Sequence, residues 1–277
     1  MSKIEIAFVC VNYDGFHYTK KMIDSLLKQN GLGKTFDISI FVVDNSPEVK
    51  ADLVSFCDVH REVVYVRSET NEGYFAGLNF GINCLPGTNF RFVVACNNDL
   101  EFDSDFCANL VNIDVKPNAQ VICPNVITKD GVHQNPHHLY ALSRLEILAF
   151  DCYFSNYYVA LLLLKIKSVW KLFSNKHVHV GGELEFPAEI EINQGVGACY
   201  ILTKNFFSLH QELFYPSFLY GEEATLSWQV RNSGGHLIYN KNLIVDHAES
   251  AALSKLPSLH TYEFGKHSYW HIRKYLF

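Results

Sequence analysis

Apolar and polar positions follow two rhythms along the first half of the chain. Ile4 to Val11 is an apolar run broken by Glu5, His17 to Gln29 has helical spacing, Ile38 to Val43 is apolar again, and Val63 to Val66 follows. Gly73 to Cys84 returns to helical spacing before a strand over Phe90 to Cys96, and Val121 to Cys123 predicts a short strand ended by Pro124. Such alternation predicts strand-helix-strand crossovers and an α/β fold with a mostly parallel sheet, with ligands beyond the carboxyl ends of the strands. The residues to inspect are therefore Asn12-Tyr13-Asp14, Asp44-Asn45-Ser46 and Asn97-Asn98-Asp99.

From about residue 130 the pattern loosens. Asp130-Gly131 marks a turn, a helical stretch holding Leu226, Trp228, Val230 and Arg231 is closed by Gly234-Gly235, and Leu243 to Val245 predicts a last strand. Tyr153 to Phe173 combines Tyr157, Tyr158, Leu161 to Leu164, Ile166 and Trp170 with Lys165, Lys167 and Lys171. It is too short and too charged to span a bilayer. Two readings stay open: a helix packed on the core, or an interfacial helix whose apolar side chains enter a membrane surface while its lysines meet lipid phosphates.

Composition narrows the class. With 277 residues, 48% of them hydrophobic and 19% charged, the chain can bury one large core. A net charge of -6 and the lack of a Lys/Arg block argue against a nucleic-acid partner, so a bound phosphate needs a specific counter-charge. The eight cysteines are scattered, without a Cys-x-x-Cys pair, and the N-terminus enters a strand pattern with no apolar leader; both predict a reducing, cytoplasmic interior. His137-His138 and His177-x-His179 have zinc-like spacings but no accompanying Cys or carboxylate cluster, and read as loop residues.

The candidate chemistry sits at strand ends and helix starts. An apolar strand that stops on Asn97-x-Asp99 can hold oxygen ligands for a hard divalent cation at the lip of a sheet, or can simply make a turn. Asp44 ends its own strand at the same rim, where a carboxylate can accept from a base or ribose, although Asp-Asn-Ser-Pro is also a good turn. Asn71-Glu72-Gly73-Tyr74-Phe75-Ala76-Gly77 is a glycine-bracketed helix entry that lets a ligand approach the backbone and offers N–H groups to an anion. Glu222-Glu223 opens the later helix; the macrodipole alone favours acids there, or one of them is a general base behind an aromatic-edged pocket. Arg231, two turns on, would pair with a glutamate or with phosphate. His247, after the last strand, would complete a metal site or sit satisfied at the surface.

Taken in order, Val11-Asn12-Tyr13-Asp14-Gly15, Val43-Asp44-Asn45-Ser46, Asn71 to Asn79, Asn97-Asn98-Asp99, Gly195-Val196-Gly197-Ala198-Cys199, and Leu219-Tyr220-Gly221-Glu222-Glu223 through Arg231 and Gly235 resemble the family 2 inverting glycosyltransferases. The likeness runs from residue 4 to about 250 and leans toward bacterial rhamnosyltransferase-like enzymes of surface polysaccharide synthesis. It implies one GT-A domain over residues 1–277, a Rossmann-like mixed sheet flanked by helices. Residues to about 125 would bind a UDP- or dTDP-type sugar donor, and the remainder a glycan or lipid-linked glycan acceptor. Asn12 and Asp44 would contact the nucleoside. Asn71, Gly73 and Asn79 would line its pocket, with Asn98 and Arg231 also on the donor side. Asp99, with His247, would hold Mg²⁺ or Mn²⁺ on the diphosphate, and Gly197 and Ala198 would let the sugar come close. Glu223 stands at the catalytic carboxylate, with Glu222 beside it.

Three positions depart from that pattern. Asn97 replaces the first acid of the Asp-x-Asp element, Glu223 replaces the usual Asp, and Thr225 stands where an acid is common. Asn97 and Thr225 keep a second reading open, a catalytically silent relative that binds nucleotide sugar or glycan as a scaffold, while the Glu222-Glu223 pair argues against it. The enzymatic reading expects transfer at the cytoplasmic side, with membrane contact through 153–173.

Overall fold

A computed structural model describes residues 3–71, 73–87, 90–173, 186–216, 218, 220–248 and 258–276, with the side chains of 167–173 outside that description. Glu72, His177, His179, Ser217 and Leu219 also lie outside it, as do the side chains of Lys167, Trp170 and Lys171.

The first half gives β1 (Ile4–Asn12), α1 (Phe16–Leu26), β2 (Phe36–Asp44), α2 (Ala51–Asp58), β3 (Val63–Arg67), α3 (Tyr74–Asn83), β4 (Phe92–Asn97), β5 (Leu100–Phe102), α4 (Phe106–Val111) and β6 (Ala119–Thr128). The second half gives α5 (Arg144–Tyr153), α6 (Tyr157–Phe173), β7 (Glu189–Ile192), β8 (Cys199–Thr203), α7 (Lys204–Phe207), α8 (Glu222–Asn232), β9 (His236–His247), α9 (Leu259–Ile272) and a 3-10 turn, Arg273–Tyr275. All the strands join one sheet in the order β3-β2-β1-β4-β8-β6-β9-β5, with β7 paired to β9. β1 to β4 are mutually parallel, whereas β8 runs antiparallel between β4 and β6.

Both faces of this sheet are covered, which is why β1 reads as a continuous apolar run. Its alternate residues serve opposite cores. Ile6, Phe8 and Cys10 pack with α1, α2 and α4 through Met22, Leu53 and Phe106. Ala7 and Val9 pack with α3, α7 and α8 through Phe75, Phe206 and Leu226. A third cluster lays α5, α9 and the 3-10 turn over α8 through Ile147, Tyr269, Ile272, Tyr275 and Ala224. An Arg273–Asp151 ion pair, with the Tyr269 hydroxyl donating to the same carboxylate at 2.6 Å, ties α9 to α5.

Several sequence boundaries shift. Pro124 does not end β6; it occupies a register shift against β9, between Pro124 and Asn125, where a missing N–H is tolerated. The helix expected over Tyr153 to Phe173 is α6, which starts four residues later at Tyr157, and a further helix, α5, precedes it and ends at Tyr153. α5 begins at a Ser143/Glu146 capping box, and α6 begins after Asn156, whose side chain accepts from the Tyr158 N–H at 2.8 Å. β9 extends far beyond Leu243 to Val245, because β6 pairs with it over nearly its whole length. The loosened second half contains β8 at the centre of the sheet, joined to neighbours distant in sequence. Among the described residues, no helix is long and apolar enough to cross a membrane.

Candidate active site

The parallel register brings the strand ends together. Asn12 pairs with Asp44, and Val11 pairs with Asn97, so the polar ends of β1, β2 and β4 share one edge. Fully buried Asp44 accepts from Asn12 Nδ2 at 3.0 Å, Ser46 Oγ at 2.5 Å, Tyr65 Oη at 2.8 Å and Arg67 Nη1 at 3.2 Å. Burial works to raise the Asp44 pKa, but the hydrogen bonds from Ser46, Asn12 and Tyr65 outweigh it and hold the carboxyl below its ordinary value. Asn12 Oδ1 accepts from Thr19 Oγ1 at 2.8 Å and Asn98 Nδ2 at 3.3 Å, and Asn98 Nδ2 also donates to Thr19 Oγ1 at 2.9 Å. The side chains of Asn12, Asp44 and Asn98 are thus engaged with one another and with their supports, fixing the rim that was expected to contact the nucleoside. Tyr65, Arg67 and Thr19 complete that lattice. They carry no motif of their own in the sequence: the β2–β3 register brings Tyr65 and Arg67 to Asp44, and the packing of α1 brings Thr19 to Asn12.

The glycine-bracketed entry forms as expected. Gly73 caps α3 with φ +104, and a Cβ there would lie 2.0 Å from the Phe218 carbonyl, so only glycine fits beneath Phe218. Asn71 Oδ1 accepts from Gly73 N at 3.1 Å and holds the turn. Asn79 departs from expectation. Its amide both donates to Leu213 O at 2.9 Å and accepts from Leu213 N at 2.8 Å, so the side chain splices a distant loop onto α3 and is not turned to the Asp44 edge. Arg231 departs as well: it sits in the last turn of α8, donates to Ser227 O at 3.3 Å, and lines a separate cavity with Glu191 and His236. Eight residues of helix, at about 1.5 Å each, separate it from Glu223.

At the other lip, Asp99 Oδ2 stands 3.3 Å from His247 Nε2, and His247 is buried while Asp99 remains partly open. The antiparallel pairing of β5 with β9 places His247 opposite Leu100, and Ala248 N donates to Asp99 O at 2.9 Å. His247 Nδ1 lies 2.7 Å from Gln134 Oε1. Gln134 holds one ring nitrogen while the other, Nε2, faces the Asp99 carboxylate, an arrangement in which the two side chains would share a cation. Carboxylate oxygen and imidazole nitrogen together suit Mn²⁺ or Mg²⁺, ions that keep several ligands from water and phosphate. No group of three or more His, Cys, Asp or Glu side chains suited to a metal occurs among the described residues. The histidine pair His137-His138 lines the cavity beside Glu223.

Gly197 and Ala198 bridge the two halves. Asn97 N donates to Ala198 O at 2.8 Å, the Tyr74 hydroxyl donates to Gly197 O at 3.0 Å, and Gly197 N donates to Glu223 Oε1 at 3.1 Å. A Cβ on Gly197 would meet that carboxylate oxygen at 2.9 Å, so glycine permits the contact. Burial, and then the surrounding cysteine, glutamate and aspartate groups, push the Tyr74 pKa well above its usual value and keep the phenol a donor. The two glutamates diverge. Glu222 is buried and turns back to accept from Tyr220 N at 3.1 Å; burial first, then the charge of Glu223, raises its pKa to about 7. Glu223 faces a cavity of about 360 Å³ lined by residues that include His137, His138, Gln194, Phe150, Phe154 and Tyr269. Thr225, in place of an acid, donates to the Glu222 carbonyl at 3.2 Å within the first turn of α8.

Comparison with known proteins places this architecture. The structure matches that of GalNAc-T7, crystallised with UDP, GalNAc and Mn²⁺, at a TM-score of 0.62 and 14% identity, covering 98% of this chain and 48% of the other. The fold is therefore GT-A. Residues 7–164 match the model of glycosyl transferase family 2, and the chain belongs to that family. It is also 27% identical over 132 residues to the low-salt glycan biosynthesis hexosyltransferase Agl10 of Haloferax volcanii, a stretch covering 47% of this chain and 39% of that protein.

Proposed function

We propose that the protein is an inverting glycosyltransferase, a single domain in which residues to about 125 bind a nucleotide-diphosphate sugar and the rest bind the acceptor. The observation that carries this reading is the Glu223 carboxylate, fixed by Gly197 N at 3.1 Å between the strand-end edge and an open cavity. An acceptor hydroxyl in that cavity gives its proton to Glu223 as its oxygen bonds to the anomeric carbon. The bond to the nucleoside diphosphate breaks on the opposite face, so the configuration inverts. Glu223 is the base in this account because it faces the cavity; Glu222, buried and turned to Tyr220, supports the turn that presents it. Asp99 and His247 would hold Mg²⁺ or Mn²⁺, which when bound offsets charge on the departing diphosphate. Asn71, Gly73 and the Asn12–Asp44 rim form the floor for a UDP- or dTDP-type donor.

The acceptor is a glycan or lipid-linked glycan of cell-surface polysaccharide synthesis, and the transferred group is a hexosyl or rhamnosyl unit. The exposed face of α6, where Tyr158, Leu162 and Ile166 are 77%, 57% and 53% accessible, supports peripheral contact with the inner face of a membrane. Thermal-shift screening of nucleotide sugars with and without Mn²⁺ would identify the donor, followed by proton NMR of the product. Stabilisation by a nucleotide sugar and inversion of the anomeric signal are expected. Retained configuration would sink the mechanism. Stabilisation without release of nucleoside diphosphate, over a range of acceptors, would favour the silent scaffold instead.

A further inference from the structure

The cavity beside Glu223 has two unlike ends. Near the carboxylate it is edged by His137, His138 and Gln194, with His138 and Gln194 held together by backbone hydrogen bonds of 2.9 and 3.1 Å. Beyond them, α5 and α9 wall it with Phe150, Tyr153, Phe154, Tyr262, Tyr269 and Ile272. Phe154 and Tyr269 stack face to face, with centroids 4.6 Å apart, and form one side. Two tyrosine hydroxyls in this wall are already engaged inward: Tyr262 Oη donates to Tyr153 O at 3.0 Å, and Tyr269 Oη donates to Asp151 Oδ1 at 2.6 Å. The hydroxyls of a sugar pushed into this end would leave water for few partners, whereas a hydrocarbon chain would give up nothing.

Exposed apolar side chains also stand on α5 and α6. Phe150 lines the cavity and is also 38% exposed; Leu145 and Leu148 of α5 and Leu162 and Leu163 of α6 are exposed too. Phe150 thus belongs both to the cavity wall and to the exposed apolar surface of α5.

We propose that the acceptor is an amphiphile whose hydrocarbon chain occupies the aromatic end of this cavity, with its reacting hydroxyl held at Glu223 by the polar end. This rests on the glycosyl-transfer reading and names its acceptor class. The source of the chain is the acceptor itself, not a separate bound lipid, because one continuous cavity holds both the aromatic wall and the carboxylate.

Gly265 provides the test. It lines the cavity from α9, and a Cβ there would meet Phe154 at 3.6 Å, an ordinary contact, so Gly265→Leu fills the aromatic end without a backbone conflict. Calorimetry on the full chain would compare methyl, butyl, hexyl and octyl β-glucosides below their micelle concentrations, 1-octanol, and UDP and dTDP with Mn²⁺. Glucoside affinity should rise roughly three- to fourfold per added methylene until the cavity is filled. Gly265→Leu should flatten that rise while nucleotide affinity stays within about twofold. A flat series with nucleotide binding intact would overturn the inference alone. So would 1-octanol binding as tightly as octyl glucoside, which would make the cavity a lipid site without an acceptor role. A chain-length gradient unaffected by Gly265→Leu would place the hydrocarbon elsewhere and overturn it too. A gradient that Gly265→Leu flattens, in a protein that binds no nucleotide, would confirm the apolar site and count against glycosyl transfer.

Discussion

Glu223 Oε1 accepts a hydrogen bond from Gly197 N at 3.1 Å, joining the first turn of α8 to the strand entry of β8 across 26 residues. That bond fixes the carboxylate against a backbone amide while leaving its other oxygen for a substrate. Glu223→Gln keeps an oxygen for Gly197 but removes the proton acceptor. Transfer should fall by about 10² to 10⁴ with donor affinity unchanged. Steady-state kinetics and calorimetry check this, and near-normal turnover would take Glu223 out of the role.

The Asp99–His247 pair predicts a metal-dependent donor site. Asp99→Ala should abolish the part of nucleotide affinity that depends on Mn²⁺. Gln134→Leu, which removes the oxygen facing His247 Nδ1, should weaken apparent Mn²⁺ affinity by about 10- to 100-fold by releasing the ring. Titration of Mn²⁺ at fixed nucleotide distinguishes the two, and an unchanged Mn²⁺ response in Asp99→Ala would defeat the assignment.

Glu222 makes stability depend on pH. Its pKa rises from 4.5 to about 7 on folding, chiefly through burial and then through the charge of Glu223. The folded protein therefore holds a proton that the unfolded chain releases. The associated stability is fully present below about pH 4.5 and is lost as pH rises toward 7, a change of roughly 3 kcal/mol. Glu222→Gln should remove this slope and be more stable than the wild type at pH 8. Thermal melts from pH 4.5 to 8 measure it; parallel curves for the two proteins would refute the assignment.

Asp44→Asn separates a clamp from a nucleoside contact. The substitution unpairs Arg67 and disturbs the bonds from Ser46 and Tyr65, so it should cost about 3 kcal/mol in urea unfolding even without ligand. Stability within 0.5 kcal/mol of wild type, accompanied by a loss of nucleotide affinity, would assign Asp44 a direct ligand role instead.

The sequence by itself determined the α/β crossovers of the first half, the polar strand ends at Asn12, Asp44 and Asn97, the glycine helix entry at Gly73 and the acidic start of α8. Each is a local property: apolar runs need two covered faces, and positive φ or a helix N-terminus restricts the residues that fit. The tertiary structure decided which of those residues face a common space. Antiparallel β8 enters the sheet between β4 and β6 and carries Gly197 to Glu223, and β9 brings His247 to Asp99, pairings set by long-range register that no window of sequence contains. The same packing turned Asn79 toward Leu213, placed Arg231 at the far end of α8, separated Glu222 from Glu223 by burial, and closed α5 and α9 into the cavity wall. A side chain's type is fixed along the chain, but its direction is set by contacts made across it.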